Sequence, residues 1–200
     1  MNLSLLLDEF KNSIAGHRFI FVLAVTSCIA GMICGFATDR EAILYINYES
    51  NCELYIGAVL GKCSVFSILF RRVLLYLPAV GFSCLSGLIV FCFPLHLFII
   101  FYKGFILGAT CVIIFTQYSL AGVLIGVVAV VPFGLIACLI FAIFSGMLYE
   151  NGCENYRCRQ IRPTRMYLRL WGVIAIVILI ACILEVLLIV IVVRPLNFLL

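Results

Sequence analysis

Apolar residues run along the chain in long unbroken stretches, and charged or turn-forming residues gather in short clusters between them. A helix needs about 20 apolar residues to cross a bilayer. The first stretch of that length is 19–37, stopped by Asp39, Arg40 and Glu41. From Val73 to Tyr149 the only formal charge is Lys103, and that run is long enough for three crossings. Phe93-Pro94-Leu95-His96 and Thr116-Gln117-Tyr118-Ser119 divide it into spans at 73–93, 97–115 and 120–149. Pro132 removes one backbone donor and is expected to kink the third of these. A polar hinge at 150–169 follows, in which Pro163 blocks a continuous helix, and Trp171 opens a fifth span at 171–193 as an interfacial anchor.

Two segments fall outside these spans. In residues 1–18, Leu3, Leu6, Leu7, Phe10 and Ile14 recur at helical spacing with Asp8, Glu9 and Lys11 mostly elsewhere on the wheel. The pattern predicts an amphipathic helix lying on the membrane surface. Residues 39–72 are the longest polar stretch. Their apolar pieces, 54–60 and 65–70, are too short to cross, so the segment reads as an external loop with interfacial helices. The expected fold is all-α: one polytopic bundle of about five spans with an N-terminal interfacial helix.

Composition sharpens this picture. Hydrophobic residues make up 66% of the 200 and charged residues 11%, against about 45–50% and 25% in soluble domains. A net charge of +4 does not point to nucleic acid, because the basic residues lie in short stretches between spans instead of on one exposed face. They set orientation. With the N terminus cytoplasmic, eight Lys and Arg lie on or near the inner side, including the dense cluster Arg157, Arg159, Arg162, Arg165 and Arg169, against five outside. The C terminus is then extracytoplasmic. Most of the eleven cysteines lie within apolar runs as small hydrophobes.

Lys103 and Glu185 are the ionisable residues within predicted spans, and each carries a cost of about 2.5–3.5 kcal/mol on insertion scales. Lys103 has the option of snorkelling to the inner interface. Pairing with Glu185 meets a depth offset of eight residues, roughly 12 Å. The interior adds Thr26, Ser27, Ser83, Ser86 and Ser145, too few for a proton relay. Gly31/Gly35, Gly104/Gly108 and Gly122/Gly126 place small residues one turn apart and predict close helix contacts within the bundle. Cys153 and Cys158 lack further ligands for a structural metal site. Cys52 and Cys63 share the external loop, and spacing alone leaves their pairing open. No phosphate loop, zinc-protease motif or serine–histidine arrangement occurs, so neither catalysis nor a cofactor is expected.

The order of features resembles the stage II sporulation protein M family in four segments. They are the glycine-rich end of the first span (Gly31, Gly35), Phe101-Tyr-Lys103-Gly104-Phe-Ile-Leu-Gly108, Val131-Pro132-Phe133-Gly134, and Ile183-Leu-Glu185-Val186 followed by Arg194-Pro195. Two features depart from the family pattern: Ala137 and Cys138 stand where many relatives carry an acidic residue, and Pro195 lies far from Glu185. The resemblance implies a non-enzymatic scaffold in the cell membrane of an endospore-forming bacterium. Such a protein localises peptidoglycan-degrading partners, the stage II sporulation proteins D and P, for engulfment. Lys103, Gly104, Gly108, Pro132, Gly134 and Glu185 would then serve as partner-binding or helix-packing positions, beside membrane lipid. The competing reading is a small transporter or channel with Lys103 and Glu185 lining a cavity.

Overall fold

The computed structural model describes residues 17–38, 64–159, 165–188 and 190–191. The expected N-terminal interfacial helix, residues 39–63 with Cys52 and Cys63, and Arg194-Pro195 lie outside them. Among the described residues the chain is all-helical: α1 (Arg18–Ala37), α2 (Val65–Ser86), a 3-10 turn (Val90–Cys92), α3 (Phe93–Ile125), a π-helical turn (Gly126–Val130), α4 (Val131–Cys158) and α5 (Arg165–Leu188).

Five of these segments are long and apolar enough to cross a membrane. Large apolar side chains also face outward on them, Leu77 at 68% exposure and Ile180 at 50% among others. A soluble fold would bury these side chains, whereas lipid solvates them. α1 and α5 largely coincide with the first and last predicted spans.

α2 does not. It starts eight residues before the predicted span, with the Ser64 hydroxyl accepting a hydrogen bond from the Ser67 amide as its cap. Arg71 and Arg72 therefore belong to a helix and not to the loop assigned to 39–72. The break after α2 also falls earlier than predicted, at Gly87–Val90. Pro94 lies in the first turn of α3, where its missing N–H costs no helical bond.

Beyond Thr116 the backbone stays helical but reverses direction, because Gly126 lies against the Phe115 ring and Gly134 against the Leu107 side chain. These pairs centre the reversal between Thr116 and Ile125, and the π-turn at Gly126–Val130 follows it in the returning segment. Pro132 follows it in the first turn of α4, so it begins that helix instead of kinking its interior.

α1 and α3 make the most extensive contact in the bundle and run parallel. Gly31 and Gly35 face the Phe101 and Phe105 carbonyls, while Gly104 and Gly108 face those of Cys28 and Met32. A Cβ at any of the four would fall on a backbone oxygen of the opposing helix. Both glycine pairs are thus spent on one contact, the close approach that small residues one turn apart permit. Ser27 Oγ adds a hydrogen bond to the Leu97 carbonyl at 3.1 Å. The core built on this contact runs from Ala24 and Cys28 through Ile100 and Phe141 to Ile174 and Cys182.

Candidate functional site

Three charged side chains meet polar partners within the apolar bundle. Arg72 of α2 and Glu185 of α5 form an ion pair at 3.2 Å, both almost fully buried. Their helices have few other polar groups with which to fix register, so this bridge ties α2 to α5 near the ends where α2 begins and α5 finishes.

Lys103 lies ten residues into α3, roughly 15 Å along the helix, or half of a ~30 Å apolar core. It does not pair with Glu185. Its ammonium donates to the Leu75 carbonyl at 3.2 Å and sits 4.2 Å from the centre of the Tyr76 ring. Pro78, inside α2, has no N–H to offer the Leu74 carbonyl, and the neighbouring carbonyl is the one that Lys103 engages. The aromatic face of Tyr76 adds cation–π attraction.

Gly104 and Gly108 lie on the α1 contact, and Gly134 receives the Leu107 side chain. Pro132 lies in the first turn of α4, on a different helix from Lys103. The sequence-selected residues therefore do not form one cluster. Lys103 and Glu185 are each bound to α2, through partners that spacing alone did not reveal.

The cavity beside Glu185 is lined by Tyr76, Phe133, Ala137, Ile140, Ile178, Ala181 and Cys182 and has a volume of about 10 Å³. That is room for about one water molecule and no substrate. A larger groove of about 300 Å³ between α2 and α5 is lined almost wholly by apolar side chains such as Val73, Val80 and Ile176. It offers lipid chains a surface and a solute almost nothing to bind.

A second polar centre lies at the other end of the bundle. His96 of α3 is fully buried, with Nδ1 3.0 Å from Ser83 Oγ and Nε2 3.1 Å from Ser145 Oγ and 3.3 Å from the Phe141 carbonyl. A carbonyl only accepts, so Nε2 carries the proton and Nδ1 accepts from Ser83. The Ser145 hydroxyl in turn donates to Phe141 at 3.0 Å. The neutral ring is satisfied on both nitrogens and joins α2, α3 and α4.

Close by, three side chains cap the end of α2 and the turn that follows. Asn151 Nδ2 donates to the Gly87 carbonyl at 2.8 Å, Asn155 Nδ2 to Leu88 at 3.0 Å, and the Tyr167 hydroxyl to Cys84. The last carbonyls of a helix have no partner within it, and here two other helices provide one.

Among the described residues, no three His, Cys, Asp or Glu side chains converge to hold a metal. Cys153 and Cys158 are free thiols. Taken with the five apolar helices, this architecture is that of a multi-pass membrane protein. Comparison with protein-family models, curated proteins and solved structures finds no match.

Proposed function

We propose that the chain is a non-enzymatic scaffold of the cell membrane, holding partner proteins through its loops while its helices form a solid bundle. One observation carries this reading: the charges inside the bundle are committed to helix–helix ties. Glu185 is bridged to Arg72, Lys103 is anchored on the backbone and ring of α2, and the space beside Glu185 admits about one water. A transporter needs charged groups that face a cavity and exchange partners. The proposed orientation is N-terminus cytoplasmic and C-terminus extracytoplasmic, on the arginine cluster of 157–169.

The narrower proposal is that the scaffold serves forespore engulfment by localising the stage II sporulation proteins D and P. It rests on the four segments of sequence resemblance. Deleting the gene in an endospore-forming host, with membrane staining through engulfment, tests it. Arrest at the septum with dispersed partners is expected, and normal engulfment with correctly placed partners would overturn the sporulation role. Complementation then separates scaffold from conduit. The variant Arg72→Met with Glu185→Leu should restore partner placement, because an apolar pair can replace a buried ion pair without loss of fold. Failure of that variant, although present in the membrane at normal level, would favour the transporter.

A further inference from the structure

A groove of about 490 Å³ opens beside the turn that joins α2 to α3. One wall is apolar: Leu88, Ile89, Val90 and Phe91, with Phe91 at 75% exposure. The opposite wall is the end of α4, where Tyr156, Arg157 and Arg159 follow Gly152 and Asn155. The groove is preformed. Asn155 holds the Leu88 carbonyl, Gly152 lets α4 pack so close to Val90 that a Cβ there would lie 3.1 Å from its backbone, and the Phe91 and Tyr156 rings meet edge to face at 5.5 Å.

Its depth is set by the sequence. The apolar run of α4 ends at Met147-Leu148-Tyr149, and the polar residues Glu150, Asn151 and Glu154 follow. The groove therefore straddles the boundary between hydrocarbon and headgroups. Glu150 faces His17 at 3.6 Å. Arg157 and Arg159 are exposed and form no ion pair with a described acidic side chain, Glu154 included. Arg159 ends α4 in a left-handed conformation (φ 50°).

We propose that this groove binds an anionic phospholipid, with its phosphate on the Arg157 and Arg159 guanidinium groups and an acyl chain along Ile89 and Phe91. The site combines two exposed guanidinium groups with no acidic partner among the described residues, which suit phosphate in geometry and charge, with an apolar wall at the depth where acyl chains begin. Basic pockets between membrane helices at this level recognise charged headgroups. A soluble acidic peptide would satisfy the arginines but would not need a wall of exposed Phe91 and Ile89 at the hydrocarbon boundary. The proposal depends neither on the orientation of the protein nor on its role as a scaffold.

The test uses the purified full-length protein in neutral detergent, with retained lipid counted by native mass spectrometry. Phosphatidylglycerol and phosphatidylcholine of the same chain length are added in equal amounts. The expected result is at least threefold preferential retention of phosphatidylglycerol. That preference should be lost in Arg157→Gln with Arg159→Gln and kept in Arg169→Gln, an exposed arginine outside the groove. Phe91→Ala should lower retention of the lipid while leaving the preference. Equal retention of the two lipids by the unaltered protein would overturn the proposal. So would a preference that survives the double substitution, which would place anionic lipid elsewhere, or phosphatidylglycerol displaced by an acidic peptide at equal concentration.

Discussion

Arg72 and Glu185 each bear a charge that the hydrocarbon interior penalises, and each lowers the other's cost by lying 3.2 Å away. Removing one partner strands the other. Glu185→Gln or Arg72→Met alone should destabilise the bundle by about 3–5 kcal/mol, whereas Arg72→Met with Glu185→Leu should return to within about 1 kcal/mol of the original. Equilibrium unfolding of the purified protein in mixed micelles measures both, and additive losses in the double variant would dissolve the pair. The intramembrane cost of Lys103 and Glu185 was legible in the sequence; their true partners were not. Arg72 was hidden because it stands beside Arg71, and two adjacent arginines read as the end of a loop. One helical step of about 100° puts Arg71 outside and Arg72 inside. Allowing the apolar run 65–70 to continue through both arginines would have revealed the helix. The His96 centre was half visible: Ser83 and Ser145 stood out as interior polar groups, but only the fold brings them to one ring.

Between elements, glycine sets how close helices come. Gly31, Gly35, Gly104 and Gly108 meet backbone oxygens across the α1–α3 contact, while a Cβ at Gly81 or Gly172 meets nothing within 4 Å. Gly108→Val should therefore force the two helices apart and cost about 1–3 kcal/mol or more. Gly172→Ala should be neutral or stabilise by a few tenths to about 1 kcal/mol through the backbone entropy of the unfolded chain. Thermal unfolding in detergent distinguishes them, and equal effects would remove the special status of this contact. The glycine spacing was plain in the sequence, but its reciprocal use was not, because a spacing names no partner. Helix ends were less legible still. The α2–α3 break carries Gly87 and no proline of its own, and its carbonyls are satisfied by Asn151, Asn155 and Tyr167 from distant parts of the chain.

At the scale of the whole molecule, hydropathy alone fixed the class: five apolar runs became five helices suited to crossing a membrane. α1 begins beside the end of α4, where His17 meets Glu150 and Tyr149, so those two ends share one side of the bundle. On the proposed orientation, that side is cytoplasmic. In sealed cells an impermeant thiol reagent should leave Cys153 and Cys158 unlabelled until the membrane is opened, and labelling before that would reverse the orientation. The central claim is that the interior is a solid tie between helices and not a path for water. Cys138 and Cys182 report on it directly, since both are buried in the core and Cys182 borders the small cavity beside Glu185. With every other cysteine replaced by serine, the decisive measurement is reaction of these two thiols with a charged methanethiosulfonate, applied from each side of reconstituted vesicles. The account predicts no modification from either side until the bundle is denatured. Rapid modification of Cys138 or Cys182 in the folded protein would reveal an aqueous path past Lys103 and Glu185, and a conduit where a scaffold is proposed.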